Sequence, residues 1–166
     1  MNEVEACVPA LRRYAIALIR NRDEADDLVH DCLVAAISKL HTRRDDADMR
    51  AWLFTILHNL FISQRRRLKI RPDTMELNEA HANTASHPAS QDDRLHWRDM
   101  LRGLEHLPDE QRSVVLLIAV EDLSYAETAA ILGVPIGTIM SRLARGREKL
   151  RQYTESGIPQ GPRRVQ

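Results

Sequence analysis

The apolar residues of this chain recur every three or four positions in successive segments, a spacing that predicts amphipathic helices. Three such segments occupy its first part: Val8 to Arg20, a helix that starts at Asp23, and Met49 to Leu68. Asp23 is the expected N-cap of the second helix, because its carboxylate can accept a hydrogen bond from an unpaired amide. The predicted buried positions of that helix are Ala25, Leu28, Val29, Cys32, Leu33, Ala36, Ile37 and Leu40. Short connectors join the three helices into a predicted bundle.

The last part of the chain predicts a second helical bundle. A fourth helix starts at Asp92 or Asp93, and Pro108 with Asp109 opens a fifth. Between the bundles, residues 70–91 contain no aromatic residue and show no periodicity, as is typical of a linker. A flexible chain of that length averages about 25 Å from end to end and reaches about 75 Å when stretched. Two domains joined in this way can sit apart.

We therefore predict an all-α protein with two small helical bundles on a flexible linker. The expected N-terminal domain spans residues 1–69, the linker 70–91, the C-terminal domain 92–153 and a disordered tail 154–166. Aromatic residues make up only 4% of the chain, so both cores are expected to be aliphatic.

Residues 124–151 of the C-terminal domain match a helix-turn-helix. Ser124 is a good N-cap, and Glu127 can reach back to its amide to complete a capping box. Gly133 accepts the left-handed conformation that commonly ends a helix. Pro135 suits the first turn of the next helix. The second helix of such a motif enters the major groove of DNA with its N-terminal part.

The predicted recognition helix offers side chains that can contact bases or phosphates. These are Thr138, Ser141, Arg142 and Arg145. Arginine can bind guanine through two hydrogen bonds, whereas serine and threonine are less selective. Arg112, near the start of the fifth helix, is a further candidate for a phosphate contact, and a surface salt bridge is an equal alternative for it. The alternative for the whole helix is an amphipathic helix with solvated arginines.

The charged residues are segregated although the formal net charge is zero. Residues 49–72 contain no acidic residue and six basic ones: Arg50, Arg65, Arg66, Arg67, Lys69 and Arg71. Residues 23–31 contain five carboxylates: Asp23, Glu24, Asp26, Asp27 and Asp31. Acidic residues also stabilise a helix N-terminus, but five exceed what that role requires. The two blocks predict a polyanionic partner and a second partner with a basic surface.

Aromatic side chains precede the basic end of the third helix. Unpaired bases are bound by aromatic faces and by cations that follow the phosphates. The candidates for such contacts are Asn59, Phe61, Arg65, Arg66 and Arg67, whereas Trp52 is expected in the core. The alternatives are ordinary core aromatics followed by a solvated tail.

Three motifs between Leu107 and Arg151 resemble the promoter-distal DNA-binding domain of bacterial RNA polymerase sigma factors of the extracytoplasmic-function group. They are the Leu-Pro-x-x-x-Arg opening, the Leu-Ser-Tyr-x-Glu helix start and the recognition helix Gly-Thr-Ile-x-Ser-Arg-Leu-x-Arg. The N-terminal half is similar to the same family. Residues 11–40 resemble the helices that dock on the polymerase clamp, and residues 49–67 resemble the segment that recognises and melts the minus-ten element.

This resemblance implies a promoter-specificity subunit whose partners are core RNA polymerase, promoter DNA and an anti-sigma factor. It assigns core binding to Asp26, Asp27, Leu28 and Asp31. It assigns the minus-ten element to Asn59 and the following arginines, and the minus-thirty-five element to the recognition helix. The loop His41 to Asp48 corresponds to one that holds a flipped base in the family. Ser63 and the serine-containing linker resemble the general-stress subgroup of alphaproteobacteria.

Four features depart from the family pattern. Met140 stands where a basic residue is common, and Ala144 replaces a bulkier residue; both lie on the recognition face. Ser63 stands where an aspartate is common, and Ala36 to Lys39 lacks the usual aromatic residue.

No catalytic, cofactor or metal site is expected. The motifs supply no nucleophile with a base, no glycine-rich phosphate loop and no metal box, and His81 and His87 lack partner ligands.

Cys7 and Cys32 are widely spaced, which favours core thiols over a redox switch. The N-terminus lacks a signal peptide and no apolar run is long enough to span a membrane, so we expect a cytoplasmic protein without membrane insertion.

Two other functions remain open at the level of the sequence. An autonomous helix-turn-helix regulator would use its N-terminal bundle to sense a ligand or a protein, and would bind its operator unaided. An adaptor that only binds proteins would be insensitive to the loss of Arg145. A sigma factor requires core polymerase and binds no small-molecule substrate.

Overall fold

A computed structural model of the protein describes residues 2–44, 48–70 and 91–156. The described residues form helices and turns and contain no strand, as predicted. The seven helices are α1 (Asn2–Ile19), α2 (Arg22–Lys39), α3 (Met49–Ile70), α4 (Gln91–Glu105), α5 (Asp109–Val115), α6 (Tyr125–Leu132) and α7 (Ile136–Glu155). The central part of the expected linker, with His81 and His87, and residues 157–166 of the expected tail lie outside the described residues. The expected tail is wrong at Thr154 and Glu155, which are the last residues of α7.

Helices α1, α2 and α3 form the N-terminal bundle around an apolar core. Asn21, and not Asp23, is the N-cap of α2: its side chain accepts hydrogen bonds from the amides of Asp23 and Glu24. Arg20 makes this tight corner possible by adopting a positive φ of 68°. Asp48 caps α3, since its carboxylate accepts a hydrogen bond from the amide of Ala51 at 2.8 Å.

Two apolar residues at the end of the second predicted helix are not buried as expected. Ile37 of α2 is 68% exposed, and Leu40, which directly follows α2, is also exposed. The predicted buried stripe is therefore wrong at Ile37 and Leu40, because Ile37 lies with the exposed Val34 on the solvent side of α2, whereas the neighbouring Ala36 is buried.

The C-terminal bundle contains α4 to α7 and the predicted helix-turn-helix. Both hydrogen bonds of the capping box between Ser124 and Glu127 are present. Gly133 ends α6 with a φ of 65°, a conformation that costs other residues steric strain. Pro135 is the N-cap residue of α7. At Gly146, an added Cβ would lie 2.8 Å from a methyl of Val115, so glycine permits the close contact of α7 with α5.

The two bundles pack against each other. Helix α3 contacts α6, and α1 contacts α5. The linker would allow the domains to sit apart, but in this structure they are closed on each other, with buried residues of both bundles in one continuous core.

Candidate nucleic-acid interface

Helix α7 presents a polar face to solvent and an apolar face to its own bundle. Ile139, Leu143 and Gly146 are buried, whereas Ser141 and Arg145 are exposed. Thr138 is half-buried, and its carbonyl accepts a hydrogen bond from the Ser141 hydroxyl at 3.1 Å. The predicted recognition residues therefore share one end of one helix.

Arg142 is the least accessible of the predicted contacts in α7. Its guanidinium lies 3.3 Å from the carboxylate of Glu110, and its side chain is mostly buried. Its charge also acts on His58 of α3, in the other bundle. Contact with DNA would require Arg142 to leave these neighbours, whereas Arg145 is already exposed.

An apolar flank accompanies the polar residues of α7. Ile136 and Met140, one turn apart, are both exposed, with Met140 54% accessible. Ala144 continues this line one turn later and is also exposed. Ile136 was not singled out from the sequence, because an apolar residue at helical spacing is ordinarily assigned to the core.

Arg112 is not a surface residue, and the expectation that it contacts DNA is wrong for this structure. Arg112 is 5% accessible, and its guanidinium donates hydrogen bonds to four backbone carbonyls. These are Leu104 O at 2.8 Å, Leu107 O at 2.8 Å, Leu18 O at 3.1 Å and Glu105 O at 3.4 Å. The guanidinium also donates a hydrogen bond to Asp109 Oδ1 at 3.2 Å, so an ion pair is present, but Arg112 itself is buried. Arg112 thus binds the C-terminal ends of α1 and α4, where helix carbonyls lack intrahelical partners.

The predicted minus-ten residues divide into an exposed and a buried set. Asn59, Arg66 and Arg67 are exposed on α3. Phe61 is buried in the core, so stacking of its ring on a base is excluded in this conformation. Arg65 is half-buried: its guanidinium lies over the ring of Phe61, 5.3 Å from the centroid, and its Nε lies 3.3 Å from Asp109 Oδ2.

The acidic residues of α2 also have different environments. Asp27 and Asp31 are exposed, one turn apart. Asp26 accepts two hydrogen bonds from Arg12, at 2.7 and 2.6 Å, within the N-terminal bundle. Leu28 is fully buried, and the expectation that it contacts a partner is corrected: the residue packs in the core.

Exposed apolar residues adjoin the acidic residues of α2. Val34 follows Asp31 by three residues and Ile37 follows Val34 by three, so each lies next to the one before it on the helix surface. Both are exposed, and so is Leu40, which directly follows the last residue of α2. Helix α2 and the residue that follows it therefore offer a connected acidic and apolar surface, hereafter the α2 face: Asp27, Asp31, Val34, Ile37 and Leu40.

The cysteines lack the features of reactive thiols. Cys32 is buried, and burial raises the pKa of its thiol to about 12. Burial also raises the pKa of Cys7, which is half-buried. A raised pKa lowers the fraction of reactive thiolate.

The described part of the chain contains no group of three histidine, cysteine or carboxylate residues that could bind a metal ion. Among these residues, no helix is both long and apolar enough to cross a membrane.

A helix-turn-helix with an exposed arginine on its second helix, together with a separate helix that ends in exposed arginines, defines a helical DNA-binding protein. Comparisons with known proteins define its family. The family model described as the Sigma2 domain of PhyR matches residues 4–58, and the one described as Sigma-70, region 4 matches residues 97–150. The extracytoplasmic-function RNA polymerase sigma factor EcfG of Rhodopseudomonas palustris is 38% identical over 149 residues, which cover 90% of this chain and 81% of EcfG.

Two solved structures share the arrangement of helices. The first is a co-crystal structure of the sigma factor RpoE with the anti-sigma factor NepR from Bartonella quintana. The match has a TM-score of 0.78 and 35% identity, and covers 95% of this chain and 97% of the other. The second is CnrH in complex with the cytosolic domain of CnrY, with a TM-score of 0.65, 27% identity and coverage of 90% and 82%. The chain belongs to the extracytoplasmic-function sigma factors, and its function is to give RNA polymerase its choice of promoter.

Proposed function

We propose that this sigma factor binds promoter DNA through two surfaces and core RNA polymerase through a third. The observation that carries the proposal is that one chain exposes both Arg145 on the recognition helix and a basic end on α3. Helix α7 binds the minus-thirty-five element in the major groove through Ser141, Arg145 and, once released from Glu110, Arg142. Thr138 borders this contact.

At the minus-ten element, the exposed end of α3 follows the phosphates of the opened strand. Arg66 and Arg67 supply the cations, and Asn59 supplies donors and acceptors for a base edge. Arg65 joins them after it leaves Asp109. The catalytic chemistry belongs to the polymerase, so the sigma factor locates and opens the promoter in the cytoplasm.

For core polymerase, we propose the α2 face as the docking surface. Asp27 and Asp31 attract a basic partner, and Val34, Ile37 and Leu40 give it an apolar area to cover. Exposed apolar residues grouped beside charges are typical of a protein interaction site. Asp26 holds Arg12 and orders the start of this helix.

We also propose regulation by an anti-sigma factor. The sigma factor RpoE of Bartonella quintana was solved in complex with the anti-sigma factor NepR, and CnrH with the cytosolic domain of CnrY. This chain matches both over most of its length, so its surface is expected to accept a comparable inhibitor.

Transcription with purified components tests the proposal. The full chain, mixed with core polymerase and a library of promoters, is expected to yield transcripts from a subset that share two elements. Arg145→Ala should remove about 1 to 3 kcal/mol of the preference for one base at one position of the minus-thirty-five element. Arg98→Ala, an exposed arginine on α4, is the matched control and should have no effect.

Other outcomes point to other functions. Binding of a specific duplex by the free chain, without any polymerase-dependent transcription, would indicate an autonomous regulator. Equal losses across all promoter variants would make Arg145 a phosphate contact, not a base contact.

A further inference from the structure

The surfaces that join the two bundles carry opposite charges. Four arginines of the N-terminal bundle face three carboxylates of the C-terminal bundle. The pairs are Arg13 and Arg50 with Glu121, Arg20 with Glu105, and Arg65 with Asp109. Charge complementarity of this kind favours one partner and one orientation.

Glu121 is the centre of this contact. Its side chain is 1% exposed and accepts three hydrogen bonds, all from the other bundle. Arg13 donates two, at 2.8 and 2.7 Å, and Arg50 donates the third at 2.8 Å. A buried carboxylate requires such partners, because burial without them is costly. The closed arrangement alone supplies them.

Uncharged groups also meet at this contact. The fully buried Tyr14 packs edge to face on Phe54 within the N-terminal bundle, and its hydroxyl interacts with Ser113 of α5 in the other bundle. Arg112 donates a hydrogen bond to Leu18 O across the same contact. The bundles therefore meet through a packed interface with matched polar groups.

This closed arrangement conflicts with contact to both promoter elements, a step that rests on the proposed function. The two elements are roughly 25 base pairs apart, or about 85 Å along a duplex. Helix α6 lies against both α3 and α7. Because a helix with its side chains is about 10 to 12 Å wide, the two DNA-binding helices are within about 30 Å of each other.

We infer that the C-terminal bundle is an intramolecular partner of the N-terminal bundle, anchored by Glu121, and that this closed state prevents simultaneous contact with both promoter elements. Opening requires Arg13, Arg50 and Glu121 to separate. It also releases Arg65 from Asp109, so separation of the bundles and exposure of a minus-ten arginine are a single event.

Small-angle X-ray scattering of the free full chain tests the interface without DNA or polymerase. A closed chain of this length has a radius of gyration of about 15 Å, and separated bundles would exceed about 20 Å. Wild type should be closed. The double variant Arg13→Ala/Arg50→Ala should expand, because unpairing a buried charge shifts the equilibrium roughly 100-fold or more. Glu121→Gln should shift it in the same direction.

Arg12→Ala is the matched control. Arg12 precedes Arg13 on α1 and also binds a carboxylate through two hydrogen bonds, but that carboxylate, Asp26, belongs to the same bundle. This variant should remain closed. A wild-type chain as expanded as the double variant, or equal scattering from all variants, would overturn the inference.

Binding of the free chain to DNA that carries both promoter elements, compared with a duplex that carries only the minus-thirty-five element, tests the link to DNA. On the two-element DNA the double variant should bind roughly tenfold more tightly than wild type. On the single element no such gain is expected, because Ser141 and Arg145 are exposed in the closed state. The gain would oppose the loss expected from removing two positive charges. Unchanged or weaker binding of the two-element DNA by an expanded variant would overturn the link between closure and DNA binding. Failure of wild-type holoenzyme at every promoter would count against the proposed function, and the scattering result would still stand.

Discussion

The hydroxyl of Tyr14 lies 3.3 Å from Nδ1 of His58, and both side chains are buried where α1 and α3 face the C-terminal bundle. Burial, with a further contribution from the charge of Arg142, lowers the pKa of His58 to about 4. The neutral ring can then accept the hydrogen bond from Tyr14. One titrating group is thus held uncharged at the contact between the bundles.

We predict that the free energy of unfolding decreases when the pH falls below about 6.5. Between pH 6.5 and 4, the unfolded chain binds a proton that the folded chain excludes, so stability is full above this range and is lost within it. From pH 7 to 5 the loss attributable to His58 should be about 2 kcal/mol. Urea unfolding at several pH values measures it.

His58→Asn keeps a hydrogen-bonding group but does not titrate, and serves as the control. From pH 7 to 5, this variant should lose about 2 kcal/mol less free energy of unfolding than wild type does. Parallel pH profiles for the two proteins would show that His58 is not the group responsible.

We predict that Arg112→Leu destabilises the protein by about 3 kcal/mol. The substitution leaves the buried carbonyls of Leu104, Leu107 and Leu18 without their donor. Arg112→Lys should recover only part of the loss, because one ammonium cannot reproduce the planar set of donors. Chemical denaturation measures both, and a change below about 1 kcal/mol would contradict this role.

Met140 is predicted to contact a thymine methyl in the minus-thirty-five element. Its exposed side chain lies on the recognition helix, and the thymine methyl is the apolar group that base edges present in the major groove. Replacing each thymine in turn with deoxyuridine removes only this methyl. At one position, holoenzyme affinity should fall by about 0.8 kcal/mol, or roughly fourfold.

The variant Met140→Ala tests whether the Met140 side chain is responsible for this loss of affinity. Its affinity should be insensitive to deoxyuridine at that position. If the variant and wild type lose equal affinity on the modified DNA, another group contacts the methyl.

We predict that Asp27→Arg and Ile37→Ser each weaken binding to core polymerase and leave the melting temperature unchanged. Asp27 is exposed and Ile37 is 68% exposed, so neither contributes much to the folded core. A loss of about 1 kcal/mol or more per substitution is expected at a docking surface. Glu5→Arg, on an exposed position of α1, is the control for added charge. Equal affinities for all three variants and wild type would exclude the α2 face.

Local features of the fold were accessible from the sequence because neighbouring residues determine them. Ser124 and Glu127 form the predicted capping box, and Gly133 ends α6 in the predicted left-handed conformation. Both depend on backbone groups within a few positions. The prediction of Asp23 as the N-cap of α2 was wrong: Asn21 can cap equally well, and the corner at Arg20 places Asn21 directly before the first residue of the helix.

The exposure of individual side chains required the tertiary structure. Periodicity assigned Ile37 to the core, whereas Phe61 was assigned to a partner for its place beside a basic run and Arg112 for its place near a helix start; the structure reverses all three. Helical spacing shows that residues share a face, but it does not show how far the neighbouring helices cover that face. The family motif likewise identified the position of Arg112 in the sequence, but it did not show that its side chain points into the protein.

The sequence by itself determined the helices, the helix-turn-helix and the family resemblance, because these follow from spacing, caps and turn residues along the chain. Only the tertiary structure decided that Glu121 binds Arg13, 108 positions away, and Arg50, 71 positions away. Such pairing depends on which surfaces of the two bundles come together in the folded chain. No local pattern around a glutamate or an arginine specifies that choice.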